Sequence, residues 1–204
     1  MKLSKLFITG CDSSSSWMLP WFKSNFERHN PTAKLIVYNF DEILPNLKGW
    51  FKKPATMMRA SDLADQVCWL DTDCEVRDNL DQVFDYIIPN KLTMAIDQPW
   101  TKRRPEMGNW HNSGVVAFQG IPPILSEWNR YISDGLTQER GDQEVLHYML
   151  GGDPLRELTH INVMPKLYNT LRLDINDKTA PVNPKIMHWT GAKGKDKIKE
   201  MMNG

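Results

Sequence analysis

Residues 66–79, QVCWLDTDCEVRDN, constrain this chain most. Val67-Cys68-Trp69-Leu70 is a short continuous apolar run, the pattern of a strand buried on both faces, and such strands belong to sheets covered by helices on either side. The run delivers Asp71 and Asp73 one residue apart. On an extended backbone, residues i and i+2 project to the same side, so both carboxylates can reach one point. Two converging carboxylates repel unless a cation lies between them, and oxygen ligands suit a hard divalent ion. Taken alone, the triplet Asp71-Thr72-Asp73 is equally an Asp-rich turn that needs no metal.

The chain has 204 residues with 41% hydrophobic content, enough for one domain with a full core. No Pro/Gly/Ser-rich linker, repeat or low-complexity tract divides it, so the expectation is a single domain over 1–204. Lys+Arg and Asp+Glu both number 25, and a zero net charge weighs against a dedicated nucleic-acid binder. The basic clusters Lys102-Arg103-Arg104 and Lys193 to Lys199 read as solvated surface. Lys5 and Asp12 bracket only six residues, too short for the apolar part of a signal peptide, and no run approaches a membrane span. Three cysteines without metal-type spacing, one of them in the presumed core strand, point to a reduced, cytoplasmic setting.

The apolar segments alternate between strand and helix patterns. Lys5 to Thr9, Lys34 to Tyr38, Val67 to Leu70, Leu92 to Ile96, Val115 to Phe118, Ile161 to Met164 and Ile186 to His188 read as strands. The Ser13–Ser16 run is expected to cap a first helix, Ala55 to Ala64 to form a second, and Asp78-Asn79 to cap a short third through Phe84. Pro122-Pro123 opens a helix with Ile124, Trp128, Tyr131 and Ile132 at helical spacing, closed by Gly135. Asp142 begins another that Gly151 ends, and a Lys-rich helix closes the chain. This alternation predicts a three-layer α/β sandwich with a mostly parallel sheet, whose ligands bind beyond the carboxyl ends of the strands. Asp12, Asp71 and His188 are all expected at that edge.

Four blocks, in order, resemble the GT-A glycosyltransferases, most closely family 8, the glycogenin and lipopolysaccharide galactosyltransferase group. WLDTDCEVRDNLDQVFD is similar to the family's DxD block, HNSGVVAFQG to its "NSG" strand, GDQEVLHYML to its "DQ" helix start, and HWTGAKGK to its late "H-x-x-G" block. The resemblance runs from the first strand to residue 195. It implies the GT-A fold, a mixed and mostly parallel sheet, and a retaining, metal-dependent transfer of a sugar from a nucleotide-sugar donor, a UDP-sugar first, to a hydroxyl acceptor on a glycan, lipid-linked glycan or protein.

Carried over residue by residue, the resemblance implies Asp71, Asp73 and His188 as metal ligands. With an imidazole in the set, manganese ranks first and magnesium second. Thr9 and Asp12 fall where the family contacts the nucleoside, Asp12 being equally a helix cap. Arg59 falls where members carry a basic residue facing the donor, or is a surface arginine. Asn112 would contact the donor sugar or the acceptor, and Lys193 and Lys195 the diphosphate. Asp142 and Gln143 would lie by the anomeric carbon as the catalytic residues, the Gln143 amide oxygen beneath the sugar ring.

The chain departs from the family in three places. The late block lacks the proline of H-x-x-G-x-x-K-P, and glycine stands at position 194 between the two lysines. The amino-terminal block keeps only the Asp of "ND-x-Y". Arg59-Ala60-Ser61-Asp62-Leu63 is also similar to the family 32 mannosyltransferase type, without its "GG-x-Y" lead-in. Two other readings use the same residue types: a non-catalytic nucleotide-sugar-binding protein, and a nucleotidyltransferase, which would carry a basic Gly-rich loop where this chain has Gly10-Cys11-Asp12-Ser13.

Overall fold

The structure is a computed structural model that describes residues 2–43, 46–136, 139 and 141–204. In chain order the elements are β1 (Leu3–Cys11), α1 (Leu19–His29), β2 (Leu35–Asn39), α2 (Lys53–Ala60), β3 (Ala64–Leu70), β4 (Cys74–Val76), β5 (Leu92–Ile96), α3 (Gln98–Arg103), β6 (His111–Gln119), α4 (Pro123–Ser133), α5 (Asp142–Leu150), α6 (Pro154–His160), β7 (Ile161–Val163), β8 (Thr170–Leu171), α7 (Arg172–Asn176), β9 (Ile186–His188) and α8 (Gly191–Asn203). Short 3-10 turns link several of them.

The main sheet has the order β2-β1-β3-β6-β5-β7 among the described residues. Its pairings are parallel except those of β6, which runs against both of its neighbours. Alternation along each strand separates two cores. Leu6, Ile8, Val67, Trp69, Val116 and Phe118 face α2, α4 and α5, while Phe7, Cys68, Leu70, Val115 and Ala117 face α1 and a second, three-stranded sheet ordered β4-β9-β8. The expected three-layer mixed α/β sandwich is present, with a small sheet occupying part of one helical layer.

Local differences from the sequence expectation have identifiable causes. The second helix runs Lys53–Ala60 rather than to Ala64, because Pro54 fits its first turn and Ala64 already pairs with Leu3 in the sheet. The serine run does not cap α1 by a side chain. It folds into a turn in which Asp12 Oδ1 accepts from the Ser15 amide at 3.0 Å. Asp78 and Asn79 likewise bind neighbouring amides, and the helix that follows is a 3-10 turn, Asp81–Tyr86. The last expected strand, Ile186–His188, forms but belongs to the small sheet.

Candidate active site

Asp12, Asp71 and Asp97 each follow the last residue of a parallel strand, β1, β3 and β5, and therefore collect at one edge. The antiparallel β6 brings its beginning, not its end, to that edge. Its register against β5 shifts between Met94, paired with Val116, and Ala95, paired with Asn112. Ser113, Gly114 and Val115 are left out of that ladder, and the Ser113 hydroxyl reaches the acidic cluster, as a bulge beside a site allows.

Asp71 and Asp73 converge through a turn rather than along an extended strand: the Cys74 amide donates to the Asp71 carbonyl at 3.1 Å. The turn hands the chain from β3 to β4, whose Cys74 pairs with His188 on β9. His188 Nε2 then lies 3.1 Å from Asp73 Oδ1 and 3.9 Å from Asp71 Oδ2. A Cβ at position 114 would overlap the imidazole, so only glycine admits the ring there.

The tautomer of His188 follows from a backbone donor. The Gly114 N–H gives to Asn112 Oδ1 at 3.0 Å, which also accepts from Asn169 Nδ2 at 2.9 Å. Asn169 Oδ1 must then face His188 Nδ1, 3.0 Å away, and accept its proton. The Nε2 lone pair is left aimed at the two carboxylates, an arrangement that calls for a cation or a proton between them. Burial alone would depress this imidazole, yet Asp73 and Asp71 raise its pKa above the ordinary histidine value. Burial and the Asp73 charge hold Asp71 above the carboxylate range against Lys53, whereas His188 brings Asp73 below it despite burial. Two hard oxygens and one imidazole nitrogen with a fixed tautomer fit a manganese-type ion. Cys74 is close by, but burial pushes its thiol well above the usual range.

Lys53, a residue the sequence did not single out, is buried at the centre. Its ammonium lies 3.0 Å from Asp71 Oδ1 and 2.8 Å from Asp142 Oδ2, and it donates to the Ser113 carbonyl at 3.1 Å. Against burial, these carboxylates keep it charged, with a raised pKa. Ser113 Oγ also donates to Asp142, and the Trp69 indole to Asp71 at 2.6 Å. Asp142 and Gln143, the first residues of α5, face different cavities. Asp142 lines a cleft of about 170 Å³ with Asp12, Trp50, Lys53, Asp71, Asp73 and Lys195. Gln143 lines a neighbouring cavity of about 250 Å³ with Asp97, Trp100, Arg104 and Asn112. Gln143 Oε1 accepts from Asn112 Nδ2 at 2.9 Å, and Gln143 Nε2 donates to Asp97 Oδ2 at 3.1 Å. The Gln143 amide oxygen is thus tied to Asn112, and the carboxylate that Gln143 and Asn112 both bind in that cavity is Asp97.

The other expected residues divide. Asp12 lines the cleft and also holds the serine turn, with the Ser14 and Ser15 hydroxyls at 2.7 Å. Lys195 lines the cleft, while Lys193 is exposed and does not. Arg59 is exposed on α2 and lines neither cavity; the cation that α2 delivers to the site is Lys53. Thr9 is fully buried beneath the cleft, and its hydroxyl has no hydrogen-bond partner among the described residues.

A mostly parallel mixed sheet with an Asp-x-Asp turn at its carboxyl edge defines the GT-A class of fold. The chain matches no protein-family model and no curated protein. Among solved structures it is similar to the galactosyltransferase LgtC in complex with donor and acceptor sugar analogs, at a TM-score of 0.65 and 13% identity over 97% of this chain and 95% of that one. It is also similar to a glycosyltransferase involved in the glycosylation of the major capsid of PBCV-1, at 0.69 and 14% identity over 98% of this chain and 100% of that one. A third likeness is to the glycosyltransferase GlyE of Streptococcus pneumoniae TIGR4, at 0.62 and 17% identity, covering 93% of this chain and 55% of that one. At such identities the likeness is one of fold, and the fold is GT-A.

Proposed function

We propose that this protein is a metal-dependent, retaining glycosyltransferase that moves a sugar from a nucleotide-sugar, a UDP-sugar first among donors, to a hydroxyl of a glycan, lipid-linked glycan or protein. The observation that carries the reading is the placement of His188 Nε2 3.1 Å from Asp73 Oδ1 and 3.9 Å from Asp71 Oδ2, at the carboxyl edge of a GT-A sheet and beside an open cleft. Manganese is the first candidate and magnesium the second. A bound divalent cation supplies Lewis-acid stabilisation of the departing diphosphate.

The chain's own residues supply the rest. The Lys195 ammonium faces the same cleft and adds positive charge where the leaving group becomes negative. Asp12 faces the nucleoside from the end of β1. The Lys53 ammonium bridges Asp71 and Asp142 and so ties the turn after β3 to the start of α5. Asp142 and Gln143 stand between the two cavities, where the transferred sugar would pass from donor to acceptor. Asp97 offers the incoming hydroxyl a hydrogen-bond acceptor. Retention rests on the sequence resemblance. Thr9, Arg59 and Lys193 line neither cavity and take no part in this reading.

The same proposal includes one domain over 1–204 and a cytoplasmic setting, which three buried, unpaired cysteines support. No helix among the described residues is long and apolar enough to cross a membrane. The test is a thermal-shift screen of nucleotide-sugars with and without Mn2+, followed by donor hydrolysis. A donor at a hundred times its dissociation constant stabilises the fold by about 2.7 kcal/mol. Absence of Mn2+-dependent binding by any nucleotide-sugar or nucleoside diphosphate overturns the proposal, and binding without turnover leaves only a binding protein.

A further inference from the structure

Cys74 stands where a hard-cation site has no use for it. It opens β4 directly opposite His188 in the antiparallel register, so the two side chains lie side by side on one face of the small sheet. Its Sγ, a carboxylate oxygen of Asp73 and a ring nitrogen of His188 all lie within 4.8 Å of one another. Cys74 and His188 are buried, and neither lines the cleft onto which Asp73 opens. Gly114 backs the group: its carbonyl faces the Cys74 sulfur at 3.8 Å, and its missing Cβ makes room for the imidazole.

We propose that Asp73, Cys74 and His188 form a second, softer metal site overlapping the first, which takes a thiophilic divalent ion such as zinc and thereby excludes the hard ion. The inference rests on the metal reading above, because Asp73 and His188 serve both sites. Carboxylates with one imidazole suit manganese, whereas a thiolate in the set selects zinc, which also stands well above manganese in general affinity order. Zinc takes four tetrahedral ligands at about 2.0–2.3 Å, which places donors roughly 3.5 Å apart and leaves one position for water after these three. The donors already lie within 4.8 Å of one another, so they draw together on binding rather than assemble anew. On binding, the Sγ–H bond breaks, the proton leaves to solvent and the sulfur electron pair passes to the metal. Zinc drawn to the buried sulfur does not replace manganese in the reaction; it competes with it.

X-ray absorption on the zinc-loaded wild-type protein reads the ligands directly. One sulfur at about 2.3 Å beside nitrogen and oxygen is expected, and a shell of nitrogen and oxygen alone overturns the proposal. Cobalt(II) gives an independent reading: a sulfur-to-cobalt charge-transfer band in the near ultraviolet that Cys74→Ser abolishes. A band that survives in a folded Cys74→Ser protein assigns the sulfur elsewhere and also overturns it. Zinc displaces bound Mn2+ from the wild type, and Cys74→Ser weakens zinc binding by about tenfold or more. Mn2+ titration by paramagnetic resonance separates the two claims. Mn2+ binding without a zinc–sulfur contact defeats this inference alone, whereas binding of neither ion removes the site beneath the proposed function as well.

Discussion

Lys53 carries its ammonium into the middle of the acidic cluster, and replacing it shows what the cluster costs. Lys53→Met leaves Asp71 and Asp142 facing one another without their cation. Breaking a buried pair in this way costs about 3–5 kcal/mol, here toward the lower end because Asp71 keeps some contact with water. Urea denaturation measures the loss, and saturating Mn2+ restores part of it by binding the carboxylate set free. Asp73→Asn leaves the turn in place and removes a proposed metal ligand; the expected fall in donor turnover is on the order of a hundredfold or more, read as an initial rate. Gly114→Ala forces the His188 ring out of its seat. Mn2+ affinity drops, while Ala at the outward-facing Gly120 leaves that affinity unchanged. The acidic pair was legible in the sequence because a buried strand ran straight into it. Lys53 was not, because nothing in a lone Lys-Pro dipeptide says that the lysine points inward. Asn169 carries no motif at all, and its role exists only through the chain of hydrogen bonds from Gly114.

Among the elements, strands buried on both faces were easy to read, and elements made by pairing alone were not. β3 and β6 announce themselves by their apolar runs, and β5 and β9 fall on their expected residues. β4 and β8 have three and two residues, too few for any period, so the small sheet could not be foreseen and His188 was assigned to the main one. The same limit explains why the acidic pair was expected on an extended backbone and is found in a turn. α4 and α5 were legible from Pro123 and Gly151, the latter left-handed at φ +65°. Their contact was not: the Trp128 indole donates to the Asp142 carbonyl at 3.1 Å, tying the core helix to the start of α5. Trp128→Phe removes that bond while keeping a ring in the core. Denaturant titration should report a loss of about 1 kcal/mol from the bond together with a packing loss of at least similar size from the fully buried site, and donor turnover should fall as Asp142 loses its anchor.

For the molecule as a whole, acid stability depends on imidazoles away from the ion site. His111 at the start of β6 has Nε2 3.3 Å from Glu157 Oε1, without the alignment of a hydrogen bond, and His147 stacks on Trp110 at 3.7 Å between ring centroids. Burial holds both below the ordinary histidine value, for His111 in spite of Glu157. The unfolded chain takes up protons that the folded one refuses. Their stabilisation is therefore complete above about pH 6.5 and declines as the pH falls from there toward the folded values. His188 has the opposite sign, because its pKa is raised. The expected outcome is a melting temperature that drops between pH 7 and 5.5, with a shallower slope in His147→Phe; a flat or rising profile in the wild type would refute it. The layered fold was readable from the alternation of patterns, since each layer follows from a strand or helix period. The division of the edge into two cavities was not, because it depends on which way Asp142 and Gln143 turn.

The turn proposed to bind the ion closes β3, yet its histidine arrives more than half the chain later, on the far side of the last main-sheet strand. A nascent polypeptide released from the ribosome tunnel as far as Val163 already holds every strand of the large sheet and still has no imidazole to offer. On the proposed reading, a chain cut short before residue 186 lacks the imidazole of the proposed metal site, and Mn2+ affinity is expected to be lost with it.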